Sequence, residues 1–326
     1  MASVDNNTLS LWACRVFISP RGAALVSVRV CVSLVVALHA TCAGPDGALL
    51  LGDAGLAAEL ASLANSDPNA PPCARRSAVP LGSHGASPLV ALWVRPLIVS
   101  LAAQLERWAA TGRHPCADLP RIAGLEELVP AEDAPACEVP RAYELAACAH
   151  ELLARLGAWG ALGLLGLRRT RLSLARAPPP PSRLRASFCA PWAPARSALT
   201  VGARALSKHW HREPEAARFW GGQWRGSDAE KNALASAALE RVLACAVWAN
   251  CHRLPTSAAR AHEDEGTNWG TASGEVFEVR VATGHGARWS ADGATFRGFL
   301  EPQLWDIARW HGAAEGAPAA PPQLTR

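Results

Sequence analysis

Lysine is nearly missing from this chain: only Lys208 and Lys231 are lysines, and every other basic side chain is arginine or histidine. Tyrosine and methionine occur once each, against 13 tryptophans. This skew reads as coding from GC-rich DNA, so arginine abundance is discounted as a sign of nucleic-acid binding. No Cys-x-x-Cys pair occurs among the cysteines at 14, 31, 42, 73, 116, 137, 148, 189, 245 and 251, which argues against zinc ribbons and redox dithiols. Nucleotide-binding glycine loops, nucleophile elbows and metalloprotease motifs are missing too. No internal repeat is visible. Arg29 and His39 interrupt the apolar stretch around Val30–Leu38, which disfavours a membrane span.

What is present is a chain of 326 residues, half of them apolar and 18% charged. That length admits one large domain or two moderate ones. Residues 1–43 read either as a leader, with Arg15, Arg21 and Arg29 before the apolar stretch and Thr41-Cys42-Ala43 as a small-residue site, or as a first strand. The strand reading rests on Val26, Val28, Val30 and Val32 alternating with Ser27, Arg29 and Cys31. Cleavage after Ala43 leaves an odd number of cysteines, which suits a reduced, intracellular compartment. Residues 44–167 read as mainly helical. Ser87-Pro88 starts one helix, Leu101, Leu105 and Trp108 line its face, Pro96 kinks or splits it and Gly112 stops it. A second runs from about Pro140 through Leu145, Leu152 and Leu156 into Gly157, Gly160, Gly163 and Gly166.

Residues 168–197 hold Arg168, Arg169, Arg171, Arg176, Arg183 and Arg185 around Pro178-Pro179-Pro180-Pro181, with no acid among them. Such a segment is expected to be an extended linker, or else a docking motif for a protein partner. Residues 313–326 read as a disordered tail.

The best-specified part is residues 198–312, an α+β module of two helices and a three-stranded antiparallel sheet. Leu199, Ala203, Leu206 and Trp210 suggest the first helix. Ser227-Asp228-Ala229-Glu230 is a capping box for the second, whose apolar stripe is Leu239, Val242, Leu243, Ala246 and Val247, ending at Leu254-Pro255. Strand-like runs follow at Val276–Val281, Ala287–Ser290 and Thr295–Leu300, joined by Gly284-His285-Gly286 and Asp292-Gly293. A two-residue type I′ turn at Asp292-Gly293 pairs Trp289 with Phe296 and Arg288 with Arg297. Trp289, Phe296, Phe277, Val279 and Val281 then share one face. Glu278, Arg280, Arg288, Arg297, Phe299 and Glu301 share the other.

That second face carries the main candidate site. Directly opposed arginines repel unless something anionic lies between them, and Arg280 adds a third guanidinium fork. Arg280, Arg288 and Arg297, with Glu278 and Glu301, are thus candidate ligand-binding residues for a phosphorylated or carboxylated small molecule. The bland reading is that the two glutamates simply pair with the arginines on a solvated face. His209 and His252 are the candidate acid/base residues. His209 and His211 share a metal only if the first helix ends near Lys208, and no zinc spacing is matched, so no metal site is assigned. The sequence points to no particular cofactor. With 13 Lys/Arg and 13 Asp/Glu across 198–312, the module also lacks the basic excess of a phosphate-backbone tracker. The competing reading is a non-enzymatic interaction module that uses exposed tryptophans and the Pro/Arg segment.

The strings Gly202-Ala203-Arg204-Ala205-Leu206-Ser207-Lys208-His209, Glu230-Lys231-Asn232, Gly286-Ala287-Arg288-Trp289 and Phe296-Arg297-Gly298-Phe299-Leu300-Glu301-Pro302 resemble an uncharacterised family of plant and algal proteins. The resemblance covers the C-terminal part alone and implies a folded module without adding chemistry.

Overall fold

The computed structural model describes residues 32–44, 46–51, 54–62, 89–128, 141, 144–192, 197–209, 219–221, 224–254 and 274–303. The N-terminal part is helical: α1 (Val32–Ala43), α2 (Gly47–Leu51), α3 (Ala54–Ala61), α4 (Val90–Trp93), α5 (Leu97–Thr111) and α6 (Ala149–Leu165). Val26–Cys31, the bulk of the alternating run, lie outside the described residues, and from Val32 onward the chain is helix. Pro96 does split its helix, separating α4 from α5, and Gly112 ends α5 at φ +65° with its N–H on the Trp108 carbonyl at 2.8 Å. In α6 the helical dihedrals break at Gly157, and Gly166 caps the end. Leu38, Leu60, Leu101, Leu105, Leu152 and Leu162 from these helices are all buried in one core. Among the described residues no helix is long and apolar enough to cross a membrane.

The α+β class expected from the patterning is what forms, with one strand more. Helices α7 (Pro181–Cys189), α8 (Val201–Leu206) and α9 (Asp228–Ala244) accompany strands β1 (Ala246–Arg253), β2 (Glu275–Val281), β3 (Gly286–Ser290) and β4 (Phe296–Leu300). The strands form one antiparallel sheet in the order β1-β2-β3-β4. The capping box is as expected: Ser227 Oγ accepts from Glu230 N–H, and Glu230 reaches back to Ser227 N–H at 2.7 Å. The helix does not run on to Leu254, however. It stops at Ala244, and Ala246 and Val247, expected on its stripe, begin β1. Residues 246–251 are all buried, so the run is apolar on both faces, and helical and strand periods fit such a run equally well.

The Asp292-Gly293 turn differs in type and keeps the register beside it. Ser290 C=O accepts from Gly293 N–H at 2.7 Å, and Ser290 N–H donates to Thr295 O at 2.9 Å, so the loop is closed by that pair, with four residues between, rather than by Ala291 and Ala294, with two. Trp289 and Phe296 pair as expected, with ring centroids 5.3 Å apart. The expected pairing of Arg288 with Arg297 does not form. A β-bulge intervenes, Arg288 lies opposite Gly298, and Ala287 lies opposite Phe299. The extra residue reverses the alternation of everything after it. Phe299, expected on the arginine face, is therefore buried on the core face against Phe188, Phe296 and Trp220.

That core face, formed by Phe277, Val279, Ala287, Trp289, Phe296 and Phe299, is covered by α9 on β2 and β3 and by α7 and α8 on β4. Phe188 of α7 stands edge-on to Phe296 at 4.9 Å. Gly202 of α8 makes room for it, since a Cβ there would lie 2.1 Å from the Phe188 ring.

The proline- and arginine-rich segment packs where an extended tether was expected. Arg168 N–H and Leu174 N–H donate to the carbonyls of Ala249 and Cys251 at 2.8 and 2.7 Å, and Arg253 N–H donates to Leu172 O at 2.9 Å. The free edge of β1 is thereby covered, which removes a row of unpaired backbone groups. The arginines find acids on other elements: Arg168 with Glu127, Arg176 with Glu275, Arg183 with Asp292, and Arg185 with Glu240 through two bonds of 2.6 and 2.9 Å. Arg95, between α4 and α5, donates to Pro178 O at 2.7 Å, and burial lowers its pKa to about 10, with Glu59 acting in the opposite sense.

Candidate active site on the sheet face away from the helices

Opposed residues on neighbouring strands point to the same side. The pairs Asn250–Glu278 and Glu278–Arg288 therefore place β1, β2 and β3 residues on the face away from the helices. At its centre is Glu278, 1% exposed. Its carboxylate accepts from Arg280 Nε at 2.6 Å on one oxygen and from Arg288 Nε at 2.9 Å on the other. His252 Nε2 lies 3.3 Å from that second oxygen. Burial would raise the Glu278 carboxyl, but Arg288, Arg280 and His252 together hold it well below the usual carboxylate range. It is an ionised anchor for three cationic or polar partners.

Beside it, a hydrogen-bonded set positions Asn250, which is fully buried. Ser173 Oγ lies 2.9 Å from Asn250 Oδ1, Asn250 Nδ2 donates to Thr170 Oγ1 at 3.2 Å, and Thr170 N–H donates to Ser173 Oγ at 2.7 Å. The segment that covers the β1 edge thus also forms one wall of this face.

The three arginines are not equivalent. Arg280 is 2% exposed and turned inward, donating also to Gly284 O at 2.6 Å and Glu301 O at 2.9 Å, so its guanidinium is taken up by the protein itself. Its role as an open clamp is thereby corrected to that of a tie between β2, the β2–β3 turn and the end of β4. Arg288 keeps an 18% exposed side chain while holding Glu278. Arg297 lies in the bulge, and burial and Arg288 both lower its pKa, with Asp292 opposing. The solvated-face reading is half met: Glu278 does pair with arginines, but in a buried position.

The two histidines pair with different glutamates, His252 with Glu278 and His209 with Glu301. His252 belongs to the Glu278 cluster, with Nδ1 3.2 Å from Arg253 O on the exposed side. His209 follows α8, which ends at Leu206; its Nδ1 lies 2.9 Å from Glu301 Oε1, and its ring stands near Trp220 and Phe299. Glu301 is therefore a partner of His209 through its side chain and of Arg280 through its carbonyl. His211 and His262 lie outside the described residues. Among the described residues no group of three or more His, Cys, Asp or Glu stands close enough to hold a metal ion. Burial pushes the thiols of Cys42 and Cys116 up to about 11 and of Cys251 up to about 12, so at neutral pH these three are not thiolates.

Asn250, Thr170 and Ser173 were missed by sequence reasoning, since Asn250 lies in the strand taken for helix. A separate cleft of about 500 Å³ lined by Glu59, Arg176, Pro179, Arg183, Glu275 and Asp292 has its arginines already paired with its own acids.

Residues 190–301 match the family model of the CdiA C-terminal tRNase toxin domain. The match covers less than half of the chain. It replaces the resemblance to an uncharacterised plant and algal family, because the same strings fall within the span of a named family. No curated protein and no solved structure matches the chain. The tRNase-domain match begins just after α7 and runs through β4, so it takes in the whole of the sheet and both candidate histidines.

Proposed function

We propose that the C-terminal module cleaves RNA, with tRNA as the substrate class. The observation that supports this reading is the coincidence of the tRNase-domain match at 190–301 with the His252–Glu278–Arg288 cluster, in which His252 and Arg288 keep part of their side chains exposed. An RNA phosphodiester replaces the small anionic ligand expected from the sequence. The neutral charge of the module is compatible with it, because what cleavage needs is positive charge at one phosphate rather than over the whole surface.

Glu278 fixes His252 through Nε2, and Nδ1, beside the Arg253 carbonyl on the exposed side, exchanges a proton once substrate displaces that contact. His252 takes the proton of a ribose 2′-hydroxyl, the 2′-oxygen bonds to the adjacent phosphorus, and the bond from phosphorus to the 5′-oxygen breaks. That oxygen takes a proton from water and the His252 imidazolium returns its own to solvent, so the products are a 2′,3′-cyclic phosphate and a 5′-hydroxyl, with no net gain or loss of protons. Arg288 faces the charge that grows on the phosphoryl oxygens during this displacement.

The test is incubation of the full chain with total tRNA, followed by analysis of the new ends. Fragments bearing cyclic phosphates, formed by wild type and reduced by orders of magnitude in His252→Ala and Arg288→Ala, are the expected result. Intact RNA at enzyme excess would refute the reading. Recovery of a stable protein complex in the same assay would favour the interaction module.

A further inference from the structure

The proposed cleavage needs one phosphate at Arg288, yet the face carries a cation that this chemistry does not use. Arg280, Arg288 and His252 share the Glu278 carboxylate. Arg297 stands close enough to Arg288 for their charges to repel. Among the described residues no ion pair or hydrogen bond holds the Arg297 side chain, and its Nε is buried with no hydrogen-bond partner. The nearest acid, Asp292, bonds Ser290 Oγ at 2.6 Å and Ala294 N–H at 3.0 Å and lies 3.6 Å from Arg183.

Backbone geometry explains how this arginine comes to stand there. In a regular ladder residue 297 would lie directly across from Arg288. The bulge takes Arg297 out of register, and Gly298, at φ +138°, occupies the position opposite Arg288. A Cβ at Gly298 would meet nothing within 4 Å, so the space opposite Arg288 is open. An unpaired guanidinium with a buried Nε costs free energy unless an acceptor reaches it. Phosphate oxygens are suited to do so because they accept from a planar fork in two places.

We propose that Arg297 is a second phosphate-binding residue, gripping an RNA backbone phosphate next to the one held at Arg288. This rests on the RNA-cleaving reading and sharpens it: the site recognises a chain with at least two successive phosphates, not a single phosphate group. Arg297 binds substrate and takes no part in bond breaking.

Binding separates this inference from the cleavage reading. The full chain, wild type and the variants Arg297→Ala and Arg297→Lys, is titrated with a fluorescent 2′-O-methyl RNA oligomer, which lacks the attacking hydroxyl, over a series of salt concentrations. Each phosphate of a single strand that a protein no longer neutralises lowers the slope of log affinity against log salt by about 0.7. Arg297→Ala is expected to show that smaller slope, with affinity about tenfold weaker at low salt and an unchanged melting temperature. Arg297→Lys is expected to recover the slope, because it keeps the charge. In the tRNA cleavage assay Arg297→Ala is expected to raise KM while leaving kcat within about twofold. An unchanged slope and affinity in Arg297→Ala would overturn the inference, as would a fall in kcat with KM preserved. If wild type binds the oligomer with the Arg297-dependent slope but leaves tRNA intact, the cleavage reading fails and the phosphate site stands.

Discussion

Two histidine–glutamate pairs stand among the described residues of this module; their histidines are about equally buried, and they differ in what surrounds the carboxylate. His252 and Glu278 lie mid-sheet, with the Glu278 side chain 1% exposed and bonded to two arginines as well. His209 and Glu301 lie at the end of the sheet among aromatic rings, with the Glu301 side chain 32% exposed. The same ion-pair chemistry does different things in the two settings. A buried carboxylate with several cationic partners is costly to disturb and holds its neighbours in one geometry, whereas a pair whose carboxylate is partly exposed adds less to stability. The mid-sheet pair therefore has the preorganisation that catalysis requires, and the end-of-sheet pair ties the segment after α8 to the end of β4.

The largest expected effect comes from Glu278→Ala. It leaves Arg280 buried without its carboxylate, and breaking such a pair from one side costs about 3–5 kcal/mol. Urea unfolding at neutral pH measures this. A loss below ~1 kcal/mol would mean that the mid-sheet cluster is no more rigid than its counterpart. The pH dependence has a definite sign. Because the folded pKa of Glu278 is depressed, its contribution is fully present above the ordinary glutamate value of 4.5 and is lost as pH falls below that towards the folded value. Glu278→Gln should flatten this acid limb of stability, followed as urea midpoints from about pH 7 down to about pH 3.

Next in size is the contrast between the histidines in catalysis. Removing a positioned acid/base group typically costs about 10²- to 10⁴-fold in rate. His252→Ala should lose cleavage of tRNA on that scale with little change in stability, while His209→Ala should retain kcat within a few-fold. A reversal, with His209→Ala the inactive variant, would move the catalytic role to the end of the sheet.

The legibility of these two places in the sequence follows the same division. Trp289 opposite Phe296 can be read because an Asp-Gly turn and alternating apolar residues both fix that register close to the loop. The capping box at Ser227–Glu230 is a local pattern and is equally readable. The Glu278–Arg288 pair can be placed on one face for the same reason. Three things cannot. The strand containing Asn250 and His252 is apolar on both faces, so its period is hidden; the Arg297 bulge depends on a glycine dihedral that no pattern announces; and the burial of the proline–arginine segment depends on Glu240, Glu275 and Asp292, which lie far along the chain. Single-strand periodicity reaches as far as the first irregularity, and here that irregularity lies inside the candidate site.

A mid-sized effect should come from the bulge that separates the two faces. At φ +138° Gly298 occupies a conformation that side-chain-bearing residues rarely adopt, so Gly298→Ala should cost about 1–3 kcal/mol. If the strain is instead relieved by returning to the regular ladder, Phe299 would leave the core and Arg297 would come opposite Arg288. Thermal melts report the cost, and the salt slope of RNA binding reports the displaced arginine.

The smallest expected effect tests the weak member of the comparison directly. Both His209 and Glu301 have other neighbours, so a single substitution would mix the pair with whatever each side chain does elsewhere. A double-mutant cycle of His209→Ala and Glu301→Ala cancels the unshared terms and leaves the pairwise energy. For a pair whose carboxylate is partly exposed that energy should be at most ~1 kcal/mol and should shrink as salt is raised from about 0.05 to about 0.5 M, roughly the range over which screening becomes effective at close range. The aromatic surroundings of His209 offer a route to a larger value, because Trp220 and Phe299 shield one side of the ring from water and strengthen any charge interaction across it. A coupling above ~2 kcal/mol that resists salt would show that shielding decides, and the two histidine–glutamate pairs would then be alike in strength and different only in what they face.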